Sequence, residues 1–247
     1  MPIRVFVTGA GGRTGKLVLQ KLRDHPEFEV KGLVRRHEQQ AELGPGAVVG
    51  DILAPQSWEQ ELNGMHALVI LTSAVPKMRP TANPDDPPEW YFEEGGMPEQ
   101  VDWQGQRAQI DLAAKYDLRQ VVLVSSMGVT KADHPLNRIG GGKILFWKRM
   151  ASEYLVNSGV PYTIIHPGGL IDQPGGKRQL LVGKHDAFMD SGGPRSVPRE
   201  DVAEVAVQAL LHPEAVNKSF DLVARPKGEG EPTKSWDVLF DQTTAGL

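Results

Sequence analysis

Ile3-Arg4-Val5-Phe6-Val7-Thr8-Gly9-Ala10-Gly11-Gly12-Arg13-Thr14-Gly15 opens the chain, and a helical pattern carrying Leu17, Val18 and Leu22 follows it. A short apolar strand runs into a glycine turn, and the turn runs into a helix. That order makes a phosphate cradle of the dinucleotide type. A side chain at the glycines would block the tight turn, the approach of backbone to a pyrophosphate, or the packing of helix on strand. Gly9, Gly12 and Gly15 are spaced GxxGxxG, with Arg13 and Thr14 inside the turn, and the Gly-Lys-Ser/Thr ending of a mononucleotide P-loop is absent. A bare glycine pattern is often only a turn; the strand before it and the helix after it favour a nucleotide cofactor.

The rest of the chain extends this unit. Residues 28–34 read as a second strand and 48–51 as a third with an acidic end. Pro55 is placed to open a helix through Leu62. Ala67-Leu68-Val69-Ile70-Leu71 is a continuous apolar run of the kind that a parallel strand buried on both faces requires. A helix over about 99–116 should put Val101, Ala108, Leu112 and Ala113 against a sheet. Residues 120–124 give a fifth strand ending in Ser125-Ser126, 143–157 a helix, and 162–165 a sixth strand ending in His166-Pro167-Gly168-Gly169. A helix from Pro198, a last strand at 219–223 and a docking helix near Trp236, Leu239 and Phe240 close the chain. The expectation is an α/β, Rossmann-type doubly wound parallel sheet in a single domain, 1–247. Two departures from the rhythm are expected: an insertion at 76–98 and a small C-terminal cap at about 168–200. The insertion carries Pro76, Pro80, Pro84, Pro87, Pro88 and Pro98, the acidic pairs Asp85-Asp86 and Glu93-Glu94, and Trp90, Tyr91 and Phe92. It reads either as a solvated excursion or as a substrate-side flap, because it follows the fourth strand where such sheets bind ligands.

Composition narrows the function. The 247 residues carry 27 basic and 31 acidic side chains, a formal charge of -4, which gives no support to a nucleic-acid surface. The absence of cysteine excludes disulfides, thiol nucleophiles and cysteine metal sites, and no zinc pattern is present. No apolar run approaches the ~20 residues of a membrane span. With a strand beginning at Ile3, no room is left for a signal peptide, so a soluble intracellular protein is expected. Its place would be the cytoplasm, or the chloroplast stroma if a transit segment has been removed.

The end of the second strand bears on the cofactor. An Asp or Glu about 20 residues beyond the glycine turn binds the ribose hydroxyls of NAD, whereas a 2′-phosphate calls for arginine. Here Val34 is followed by Arg35 and Arg36, with Arg13 in the glycine turn. Three arginines at one expected corner favour NADP(H), with NAD(H) the less favoured alternative. Asp51 is expected beside the adenine, where a carboxylate can accept from the exocyclic amine.

The glycine turn, the strand ending in Ser125-Ser126, the downstream Lys148 and the TIIHPGGLID stretch resemble the atypical short-chain dehydrogenase/reductases of the NmrA-like, NAD(P)-binding branch. The resemblance is strongest to the small plant and algal NAD(P)-binding proteins, and it runs along essentially the whole chain. It implies a Rossmann sheet with a small C-terminal substrate region, and phosphate-binding roles for Arg13 and Arg35. It also implies catalytic positions: a strand-end Ser that bonds the substrate oxygen, and a Tyr-x-x-x-Lys pair in which Tyr moves the proton and Lys binds the nicotinamide ribose. Ser125 or Ser126 and Lys148 stand at these places, but the Tyr position is Ile144. An aliphatic side chain carries no proton, and Tyr154 lies nearly two turns from Lys148 on the same helix, not one.

General acid catalysis contributes roughly 10²–10⁴-fold, so carbonyl reduction by the usual route is disfavoured. A flavin or quinone demands less, since it can take its proton from water. His166 is the remaining titratable candidate, either relaying a proton or bonding a neighbouring carbonyl to hold the Pro167-Gly168 turn. Lys148 is expected at the nicotinamide ribose, against the plain alternative of a surface lysine beside Arg149. Two readings follow. The first is an NADP-dependent oxidoreductase passing hydride to a small aromatic or conjugated acceptor. The second is a non-catalytic NADP-binding sensor, regulatory or assembly protein with a protein partner. The residues leave oligomeric state open.

Overall fold

The computed structural model describes residues 1–80 and 88–247. The opening stretch forms β1 (Ile3–Thr8), the glycine turn and α1 (Arg13–Asp24). Next come β2 (Phe28–Val34), α2 (His37–Leu43), β3 (Ala47–Val49), β4 (Ala67–Ile70) and the short strands β5 (Lys77–Arg79) and β6 (Glu89–Tyr91). They are followed by α3 (Gln106–Lys115), β7 (Gln120–Val124), α4 (Ile144–Asn157) and β8 (Tyr162–Pro167). The last part holds β9 (Gly169–Ile171), β10 (Leu180–Gly183), α5 (Ala187–Asp190), β11 (Ser196–Pro198), α6 (Arg199–Gln208), β12 (Lys218–Ala224) and α7 (Trp236–Asp241).

Eight strands form one sheet in the order β10-β12-β8-β7-β4-β1-β2-β3. Only β10 runs antiparallel to its neighbour. The chain winds outward from β1 to β3, then returns to β4 on the other side of β1. This reversal makes the switch point at which open α/β sheets bind ligands, and it lies at the glycine turn. Alternation along the buried strands sorts the core into two layers. Val5 and Val7 of β1 face α1 and α6 with Val18, Leu22, Val202 and Val205. Phe6 faces the α3 and α4 side with Leu68, Ile110, Leu123 and Leu155.

The structure departs from the sequence reading in four places. Residues 55–62 form two 3₁₀ turns, Pro55–Ser57 and Glu59–Leu62, rather than one helix. Trp58 between them has non-helical backbone (φ -147°, ψ -8°) because its indole is drawn inward to stack on Phe6 at 5.5 Å. The helix expected from residue 99 begins with a π-helical stretch, Glu99–Gly105. Within 76–98, β5 and β6 pair antiparallel and Phe92 packs on the core. Pro84, Asp85, Asp86 and Pro87 of that segment lie outside the described residues. In the expected cap region, β9 and β11 form a separate two-stranded parallel sheet while β10 extends the main one.

Candidate cofactor and hydride-transfer site

The cradle is built from close backbone approaches. Gly9 is left-handed (φ +69°), and a Cβ there would stand 2.8 Å from the Leu71 carbonyl carbon. A Cβ on Gly15 would overlap the Gly9 carbonyl oxygen. Helix α1 starts from Gly12 with no side-chain cap and no acidic residue in its first turn. Its amide end therefore presents donors and partial positive charge to the turn, which fits the pyrophosphate of a dinucleotide.

At the outer end of the site, Arg35 and Arg36 are exposed directly after β2. Asp51 is exposed beyond β3, and its Oδ1 accepts the Leu53 amide at 2.9 Å. Arg13, in the glycine turn, pairs through its guanidinium with Asp172, which follows β9. Asp172 also receives Arg199 Nε at 3.0 Å, and Arg199 Nη1 donates to Thr14 Oγ1 at 3.2 Å. The glycine turn is thereby tied to the loop beyond β8.

At the inner end, Lys148 is buried, not a surface lysine, and its ammonium meets Asp102 Oδ1 at 2.7 Å. Asp102 comes from the π-helical stretch and is fully buried; its Oδ2 accepts the Ala74 amide at 2.9 Å, just past β4. Gln106 Nε2 donates to the Thr72 carbonyl at 2.8 Å. Gln109 donates to Thr72 Oγ1 at 3.3 Å and accepts from Thr8 Oγ1 at 2.5 Å. A buried polar spine thus runs from the end of β1 to Lys148. Ile144, one turn before Lys148, is half-buried and packs on the apolar core. Tyr154 is turned toward α3, where its hydroxyl donates to Asp111 and its ring meets Trp103 edge-on at 5.7 Å.

Ser125 and Ser126 sit beyond β7, where the chain stays paired to β8 through Ser125 N to Ile165 O (2.8 Å) and Met127 N to Pro167 O (2.9 Å). Ser125 is buried, 3.4 Å from the Ser152 hydroxyl of α4; Ser126 is half-buried and its hydroxyl donates to the Met127 carbonyl at 2.8 Å. His166 is buried, with both ring nitrogens engaged. Nδ1 lies 3.2 Å from the Ser126 carbonyl and Nε2 2.9 Å from Ser219 Oγ. A carbonyl only accepts, so Nδ1 carries the hydrogen and Nε2 accepts from the serine. Burial pushes this imidazole down to about 4, which keeps it neutral.

Two carboxylates missed by the sequence reading complete the support of this loop. Asp186, fully buried, accepts from the Gly128 amide at 2.5 Å and from the Thr130 amide at 2.9 Å. It and His185 are consecutive non-glycine residues in left-handed backbone (φ 62° and 58°), a conformation that local strain resists. Asp221 lies beside His166 in the β12–β8 register. Burial, then the nearby Asp186 charge, raises its pKa to about 6, against the opposing amides of Asp186 and Ala187. His166, Ser219, Asp186 and Asp221 line a cavity of about 150 Å³ behind the serine loop. Among the described residues no group of three or more His, Asp or Glu could hold a metal, and no helix is long and apolar enough to cross a membrane.

Comparison with known proteins agrees with this geometry. An uncharacterised chloroplastic protein of Arabidopsis thaliana is 50% identical over 98% of this chain and 76% of its own. Sanguinarine reductase of Eschscholzia californica is 46% identical over 98% of this chain and 96% of its own. Among solved structures, a putative NAD-dependent epimerase/dehydratase from Bacillus halodurans shares the fold with a TM-score of 0.74 at 24% identity, covering 97% of this chain and 99% of that one. The family described as NAD(P)H-binding matches residues 9–213. The chain belongs to this NAD(P)H-binding family, on a Rossmann-type fold.

Proposed function

We propose that the protein is an NADPH-dependent reductase that passes hydride to a flat, conjugated, flavin- or quinone-like acceptor without a side-chain acid at position 144. The observation that carries this reading is the pair formed by half-buried Ile144 and buried, ion-paired Lys148 on one face of α4. The bound dinucleotide would supply the hydride. Lys148 would orient the nicotinamide ribose, its ammonium held in place by Asp102. A conjugated acceptor delocalises the incoming charge and takes its proton from water, so an aliphatic residue at 144 costs it little. NADPH is favoured over NADH by exposed Arg35 and Arg36 directly after β2, while Asp51 is engaged by the Leu53 amide. Kinship with a protein named sanguinarine reductase supports reduction as the reaction class. A chloroplast location, suggested by the name of the Arabidopsis relative, belongs to the same proposal and is tested by imaging the tagged full-length protein in leaf cells.

One observation favours the non-catalytic sensor instead: the one candidate proton carrier, His166, is engaged at both ring nitrogens. Following NADPH oxidation with quinones, flavins and simple carbonyls separates the two. The reductase reading expects turnover with the conjugated acceptors and little with carbonyls. Tight NADPH binding without turnover on any of them leaves the sensor.

A further inference from the structure

Gly168 turns the chain out of β8 so tightly that a Cβ there would lie 2.5 Å from the Arg195 carbonyl oxygen. The turn leads into β9, whose Ile171 is the register partner of Pro198 in β11. Asp172 directly follows β9 and Arg199 directly follows β11 as the first residue of α6, so the small parallel sheet fixes them as neighbours. Arg199 is the anchored member: its side chain is 13% exposed and it bonds both Asp172 and Thr14. The pair between Arg13 and Asp172 is the loose member, with side chains 68% and 56% exposed.

In the sheet, β4 and β7 separate β1 from β8. The Arg13–Asp172 bridge therefore joins loops whose parent strands stand roughly 14 Å apart, three strand spacings. These loops flank the strand ends that a dinucleotide seated on the glycine turn must cross. An exposed ion pair is also weak enough to open readily.

We propose that Arg13 and Asp172 form a clasp across the dinucleotide site that opens for the cofactor to enter or leave, with Asp172 positioned by Arg199. The proposal rests on the glycine turn holding NADPH. Asp172 is then a positioning residue that governs exchange rather than affinity. Stopped-flow binding of NADPH to the full-length protein tests it, with thermal unfolding checking the fold of each variant. Asp172→Asn should raise the association and dissociation rate constants together by roughly 2- to 5-fold, the scale of an exposed ion pair, while Kd stays within about a factor of two. Asp172→Ser should do the same, and Asp172→Glu, which keeps the charge, should restore wild-type rates. Unchanged rates in both neutral variants would overturn the clasp. So would a faster dissociation alone with a matching rise in Kd, the signature of an ordinary binding contact. Failure of the wild-type protein to bind NADPH would instead strike the cofactor reading beneath it.

Discussion

His166 and Asp221 are adjacent on β8 and β12, and burial moves them in opposite senses, to about 4 and about 6 from ordinary values of 6.5 and 3.8. Between pH 4 and 6.5 the unfolded chain binds a proton at residue 166 that the native protein does not. The His166 contribution to stability therefore rises with pH through that window. Between pH 3.8 and 6 the native protein holds a proton on Asp221 that the unfolded chain has lost, so this contribution falls as pH rises. At 1.36 kcal/mol per pH unit, each is worth about 3 kcal/mol across its window, and in the wild type they largely cancel. Asp221→Asn removes one side of the balance. Urea denaturation of variant and wild type at matched pH isolates it, because the other titrating groups are common to both. The stability difference should move by about 3 kcal/mol in favour of Asp221→Asn from pH 4 to 7. His166→Gln should show the mirror image, losing about 3 kcal/mol relative to wild type over the same range. Parallel pH curves for all three proteins would refute the buried, oppositely shifted pair.

Lys148→Met leaves Asp102 buried without its cation and should cost about 3–5 kcal/mol in urea denaturation. Adding Asp102→Asn should recover most of that loss, since the uncompensated charge is gone; a single-variant cost within experimental error would contradict the pair. Arg35→Ala should weaken NADPH binding by about 10- to 100-fold, the loss of one or two charge-assisted bonds to a phosphate, and leave NADH binding nearly unchanged. Equal losses for both cofactors, measured by titration calorimetry, would remove Arg35 from the 2′-phosphate.

The fold was legible where pattern and backbone constraint coincide. The apolar run at 67–71 and the glycine turn allow few alternatives, and β4, the turn and α1 lie where they were expected. The polar spine was not legible. Asp102, Gln106 and Gln109 follow one another at i, i+4 and i+7, the spacing of a buried stripe, yet their polarity reads as a solvent face. Their burial is made possible by the Lys148 ammonium and by the carbonyls, amides and hydroxyls of Thr8, Thr72, Ala74 and Gly105. Trp58 broke an expected helix because stacking on Phe6, far away in sequence, outweighed local propensity. Arg13 shows the limit of counting from a motif: its place in the glycine turn was clear, but the pairing of β9 with β11 brought Asp172 to its guanidinium. Asp186 supports Gly128 and Thr130 across more than fifty residues, with no local signal for it.

The central claim joins a phosphorylated cofactor to an acceptor that needs no side-chain acid. Steady-state kcat/KM for one conjugated quinone, measured with NADPH and with NADH as donor, addresses both halves at once. The account predicts turnover with NADPH at least about tenfold more efficient than with NADH, the factor that 1.4 kcal/mol of phosphate recognition supplies. Equal efficiency with the two donors, or no oxidation of NADPH that demonstrably binds, would contradict it.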